Sequence, residues 1–108
     1  AFLAYYDATW EGLKAADPAL RFGGPANALG LNPFFKKFAA HVAANGHADF
    51  ISVHRKFLSR EMIAEERQFL RHLAEHHPHL AKLPFMNTEA DAEFGWSKRW
   101  WWRAHPWY

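Results

Sequence analysis

The chain contains no cysteine. That excludes a disulfide framework and thiolate metal sites together, and it leaves the cellular compartment open. No apolar run approaches the ~18 residues that a membrane-spanning helix needs. There is neither a Gly-x-Gly-x-x-Gly turn nor a phosphate-cradling Walker loop, so the nucleotide-binding folds lose ground. Charge of one sign is also scarce: 13 Lys and Arg stand against 11 Asp and Glu, a formal +2. Nucleic-acid binding needs bases clustered on one face, and these are interspersed with acids. No internal repeat or low-complexity linker divides the chain.

Apolar and aromatic residues are plentiful. Half of the 108 residues are apolar, with 10 Phe, 6 Trp and 3 Tyr. This is the size of one domain and the composition of a chain that buries a core. No signal peptide is visible. The chain is already inside an amphipathic pattern at Ala1 and ends at Trp107-Tyr108 without a polar tail. The expectation is a piece of a longer protein.

Periodicity divides the chain into alternating elements. Phe2, Leu3, Tyr6, Trp10 and Leu13 recur at helical steps until Asp17-Pro18. Leu20-Arg21-Phe22 alternates as a short strand, with Gly23-Gly24-Pro25 as its turn. Asn32-Pro33 predicts an N-cap with proline at the first helical position, and Asn45-Gly46 closes that helix. Its apolar face is Phe34, Phe35, Phe38, Val42 and Ala43. Phe50-Ile51-Ser52-Val53 is a second strand, ending in His54-Arg55-Lys56. Ser59 is a candidate cap for a third helix, with Met62, Ile63, Phe69, Leu70 and Leu73 inside. Glu61, Glu65, Glu66, Arg67 and Arg71 lie mostly on its wet side, and Pro78 ends it. Leu83 to Asn87 is the third strand.

Helices alternating with apolar strands imply parallel pairing through right-handed crossovers. A (β/α)8 barrel fits this alternation. It needs roughly 250 residues, so this chain is less than half of one.

In a parallel sheet the carboxyl ends of all strands face one side, where active sites form. Three ends then meet: Gly23-Gly24-Pro25, His54-Arg55-Lys56 and Asn87-Thr88-Glu89. Glu89 suits a nucleophile or general base. Asn87 and Asp91 are placed to support it by hydrogen bonds. His54 suits a carboxylate or a sugar hydroxyl, and the positive charge of Arg55 and Lys56 favours an ionised Glu89. A glycosidase needs two carboxyls. Asp91 is poorly placed to be the second, so the partner is expected outside these residues.

Two other patterns compete. His72 and His76 stand four apart on a helix, a spacing that suits zinc, but no glutamate follows the first histidine as in the His-Glu-x-x-His order. Histidines in a last turn also suit the helix dipole. Lys98-Arg99-Trp100-Trp101-Trp102-Arg103 mixes bases and aromatics, as single-stranded nucleic-acid sites and membrane interfaces do. It is six residues long with no amphipathic helix around it, and neither partner is expected.

Several separated motifs resemble glycoside hydrolase family 39, and its α-L-iduronidase branch more closely. They are Ala4-Tyr5-Tyr6-Asp7-Ala8, Glu11 through Arg21, Gly23-Gly24-Pro25, Phe50 through Lys56, Asn87-Thr88-Glu89-Ala90-Asp91 and Gly95-Trp96-Ser97, all in the same order. The resemblance implies a retaining glycosidase on a (β/α)8 barrel, of which this chain supplies strands five to seven with their helices. It places Glu89 at the nucleophile position. The family's acid/base glutamate, in an Asn-Glu-Pro motif, is absent from these residues, so the rest of the barrel is required and the segment alone is expected to be inactive. His54 followed by Arg55-Lys56 resembles the iduronidases, whereas the family's xylosidases usually carry uncharged residues there.

In the iduronidase branch the lysine at the Lys56 position meets a uronic acid carboxylate, and the glycine at the Gly95 position helps hold it. Trp96 is a candidate sugar-stacking face. Thr88 and Ala92 to Phe94 depart from the vertebrate iduronidase residues. The implied partner is a carbohydrate containing a uronic acid, with no metal or organic cofactor. The alternatives are a xylosidase-like enzyme on neutral sugars, or a non-catalytic barrel fragment.

Overall fold

The computed structural model describes residues 1–56 and 59–90. Asp91, Gly95, Trp96, the Lys98–Arg103 segment and the side chain of Ser59 lie outside that description. Helix α1 spans Phe2–Ala16, strand β1 Gly23–Asn27, helix α2 Pro33–Asn45, strand β2 Phe50–Val53, helix α3 Ser59–His76 and strand β3 Phe85–Asn87. A short 3-10 turn, Leu80–Lys82, precedes β3. The strands form a parallel sheet in the order β1-β2-β3. The alternation of helix and strand is as the periodicity predicts.

The helix ends follow their local chemistry. The Asn32 side chain accepts from the Phe35 amide at 2.9 Å, Pro33 takes the first helical position, and Gly46 closes α2 with φ 75°. That left-handed angle is open to glycine without steric cost. Asp17 leaves the helical conformation after α1, and its Oδ1 accepts from the Ala19 amide at 2.8 Å.

Strand β1 departs from the sequence reading. Gly23-Gly24-Pro25 is the strand itself, not the turn after it. Gly23 pairs with Phe50, and a Cβ on Gly23 would lie 2.2 Å from the Phe50 carbonyl oxygen. The glycine therefore serves a close approach of two backbones, which looks like a turn signal in sequence alone. The register shifts between Pro25 and Asn27, where Ala26 has φ 56° and its amide donates to Ser52 Oγ at 3.1 Å. This is a bulge, and it re-aims the end of the strand. Strand β3, Phe85–Asn87, is shorter than expected, although the Pro84 carbonyl just before it accepts from the Ile51 amide at 2.9 Å.

The core lies between the sheet and the helices: Tyr6, Phe35, Phe38, Ala39, Val42, Ile51, Val53, Phe69, Leu73 and Leu80 are buried. Phe35 meets Phe69 edge-on at 4.6 Å between ring centroids, a geometry that aromatic pairs prefer. Phe34, Ile63 and Leu70, expected inside, are exposed instead. Tyr6 inserts its ring under Phe38 and Phe22 while its hydroxyl donates to the His47 carbonyl at 2.7 Å. Burial pushes that phenol well above its ordinary range, with Asp49 and Asp7 adding to it. No helix among the described residues is long and apolar enough to cross a membrane.

Candidate active site at the strand ends

Asn27, Val53 and Asn87 stand level with one another at the ends of the three strands. Two further backbone bonds carry the alignment past the last paired residues. His54 N–H donates to the Asn27 carbonyl and Thr88 N–H to the Val53 carbonyl, each at 3.0 Å. The residues after Val53 and Asn87 are thereby brought side by side.

Glu89 is met there from the neighbouring strand. One of its oxygens lies 3.2 Å from His54 Nδ1, and the other is ion-paired with Lys56 Nζ. Glu89 is 49% exposed, while Lys56 is 19% and His54 28% exposed. A half-exposed carboxylate backed by two more deeply set nitrogens is open on one side and electrostatically supported on the other. An adjacent ammonium favours the ionised form of a carboxyl. The Glu89 amide also faces Asn87 Oδ1 at 3.4 Å.

Arg55 points the other way. It is 3% exposed. Its Nε donates to Glu65 Oε2 at 2.6 Å, its Nη2 donates to the same oxygen, and its Nη1 donates to the Ala28 carbonyl at 2.9 Å. This corrects the expectation that Arg55 stands with Lys56 beside Glu89, because its fork is turned into the protein. Alternation of side chains along an extended segment accounts for the split. His54 and Lys56 share one side and Arg55 takes the opposite one.

The acids of α3 are the second correction. Glu65 and Glu66 are half-buried and turn toward the strand ends rather than fully into water. Glu65 binds Arg55, and Glu66 Oε1 accepts from Asn87 Nδ2 at 3.0 Å. A signal for this was present in the sequence. Met62, Glu65, Glu66, Phe69 and Leu73 follow helical spacing along a single stripe. A helix that returns from the carboxyl end of a strand starts beside that end, so the first turns of the stripe face the site and carry polar residues.

Elsewhere, Asp7 gathers His41 Nε2 at 2.7 Å, His47 Nδ1 at 3.0 Å and Asn45 Nδ2 at 2.9 Å, tying α1 to α2 and the loop after it. Burial raises the Asp7 carboxyl, but hydrogen bonds from His47 and His41 outweigh it and hold the group below its ordinary range. Near the end of α3 the His72 and His76 rings lie tilted to each other with centroids 4.4 Å apart, and His76 Nδ1 lies 3.0 Å from the His72 carbonyl. Burial lowers His72 and His77. Among the described residues no group of three or more His, Asp or Glu is arranged to hold a metal ion.

A parallel α/β sheet carrying a supported carboxylate at its carboxyl edge has the layout of an enzyme of the barrel or open-sheet class. The sequence model of glycosyl hydrolases family 39 matches residues 1–108, and the chain belongs to that family. It is 36% identical to the alpha-L-iduronidase of Homo sapiens over 121 residues, covering 99% of this chain and 18% of that protein. The Canis lupus familiaris alpha-L-iduronidase is 32% identical over 127 residues, covering 99% of this chain and 18% of that protein. The Mus musculus alpha-L-iduronidase is 34% identical over 122 residues, covering 99% and 19%. The chain thus spans less than a fifth of the length of these relatives. The resemblance seen in the order of the motifs is borne out.

Proposed function

We propose that these residues supply the nucleophile side of a retaining glycosidase acting on a uronic-acid-containing glycoside. The observation that carries this reading is Glu89, held at the end of β3 by His54 and Lys56 from the end of β2. The reading makes β1, β2 and β3 strands five, six and seven of a (β/α)8 barrel whose other strands come from outside the chain.

Retention needs two carboxyls roughly 5–5.5 Å apart. Glu89 attacks the anomeric carbon while a glutamate from the rest of the barrel protonates the leaving oxygen. The C–O bond breaks, and a glycosyl ester forms on Glu89. The same outside glutamate, now a carboxylate, takes a proton from water. Water attacks the anomeric carbon and releases Glu89 as a carboxylate.

Lys56 gives the site its preference for acidic sugars. Without substrate it pairs with Glu89. A uronic acid carboxylate competes for that ammonium and draws it off Glu89, leaving the nucleophile ionised and less encumbered. The similarity to alpha-L-iduronidases supports this assignment. Gly95 and Trp96, outside the described residues, complete the substrate site in this reading as a carboxylate support and a sugar-stacking face.

The test is Glu89→Ala in the complete enzyme, assayed on an aryl uronide and on a neutral aryl xyloside. Hydrolysis of the uronide should fall by roughly three to five orders of magnitude. Wild-type-like hydrolysis by the mutant would refute the assignment. A wild-type enzyme that prefers the xyloside would replace the uronide reading with a xylosidase-like one.

A further inference from the structure

We propose that Arg55 and Glu65 form a positioning pair that fixes the reach of His54 and Lys56 onto Glu89. This rests on the reading of Glu89 and Lys56 given above, and it adds two residues that touch neither substrate nor the reacting atoms.

The geometry concentrates an unusual number of restraints on one residue. The Arg55 side chain is buried and joins three elements: its own segment after β2, the Ala28 carbonyl after β1, and Glu65 on α3. Its main chain is held as well. Arg55 N–H donates to Asn87 Oδ1 at 3.1 Å, and Asn87 Nδ2 donates to the Arg55 carbonyl at 3.0 Å. The two neighbours of this clamped residue are the two that reach Glu89. Fixing the direction of Arg55 into the protein therefore fixes the direction of His54 and Lys56 out of it.

Glu65 gives this anchor a negative charge. A buried guanidinium without its counter-ion is expensive. The Ala28 carbonyl gives it a hydrogen bond but no negative charge. With Glu65 removed, Arg55 loses that charged bond and its hold inside the protein weakens. The extended segment then rotates, and Lys56 and His54 leave Glu89. Glu65 acts on the substrate carboxylate only through Arg55 and Lys56, which makes it a specificity-positioning residue.

The experiment is a double-mutant cycle in the complete enzyme, with an aryl uronide as substrate. Glu65→Ala should lower kcat/KM by about ten- to a hundred-fold, chiefly through a raised KM, because misplacement of a binding group by about 1 Å has effects of this size. The same change in a Lys56→Ala background should cost clearly less, since one of the two groups it positions is already gone and only His54 remains to be misplaced. Glu65→Gln, which keeps an acceptor for Arg55, should fall between wild type and Glu65→Ala. A purely structural role reduces the folded fraction equally in both backgrounds.

Equal losses in the two backgrounds, or an unchanged kcat/KM in Glu65→Ala, would overturn the proposal. If Glu65→Ala does not fold, the cycle is run with Glu65→Gln and the same criterion applies. Failure of the underlying site reading is separate: it appears as an active Glu89→Ala enzyme, whatever the cycle gives.

Discussion

Asn87 clasps the main chain of Arg55 with both atoms of its side-chain amide, at 3.1 Å through Oδ1 and 3.0 Å through Nδ2. The last residue of β3 thereby extends the β2–β3 ladder past its final backbone pair with a side chain. The same Nδ2 reaches Glu66 Oε1 at 3.0 Å, so an amide is needed there and a carboxylate is not tolerated. Asn87→Asp should destabilise the full chain more than Asn87→Ala at pH 7. The aspartate faces Glu66 and the Arg55 carbonyl with like charge and no donor, a loss of about 1–3 kcal/mol. Thermal melting of both variants checks this, and an aspartate variant as stable as the alanine one would contradict it.

Two glycines should respond to alanine with opposite sign. Gly12 lies inside α1 with nothing within 4 Å of a Cβ placed on it. Gly12→Ala should raise stability by about 0.5–1 kcal/mol, because alanine loses less chain entropy in a helix. Gly23→Ala places a methyl group 2.2 Å from the Phe50 carbonyl oxygen. It should lower stability by about 2 kcal/mol or more, since the clash lies between two backbones that the sheet holds in register. Denaturant midpoints measured at constant m-value decide both.

The Asp7 cluster makes stability depend on acid. The folded-state value of Asp7 lies below its ordinary 3.8, held down by His47 and His41 against the raising effect of burial. A carboxyl lowered on folding contributes fully above its unfolded value and loses that contribution as pH falls toward the folded one. The window therefore opens near pH 3.8 and extends downward. His41 and Asn45 on α2 and His47 in the following loop are the groups facing the carboxylate. Asp7→Asn should flatten the fall of melting temperature in that window relative to wild type. Parallel curves for the two proteins would show that the cluster carries no linkage.

The alternation of elements was legible because it is written locally. Asn32-Pro33 and Asn45-Gly46 punctuate α2 by capping chemistry that depends on near neighbours. Glu89 was legible as a carboxylate directly after an apolar strand. What escaped the sequence depends on residues far along the chain. Gly23 takes its meaning from Phe50, 27 residues on, across the sheet. Glu65 and Arg55 are ten apart and read separately, one as a helix surface charge and one as a charge beside Glu89, yet they pair with each other. Phe34, Ile63 and Leu70 lie on predicted apolar faces and are exposed among the described residues, because helical periodicity assigns a side but not what covers it.

In the proposed mechanism Glu89 becomes covalently attached to the sugar. The most direct measurement treats the complete enzyme with a fluorinated uronosyl fluoride, which forms the glycosyl ester readily and hydrolyses it slowly, and then maps the labelled peptide by mass spectrometry. One added sugar is expected, carried on the peptide containing Asn87-Thr88-Glu89 and located at Glu89. A label on a different carboxylate, or turnover of an aryl uronide with inversion at the anomeric carbon, would contradict it.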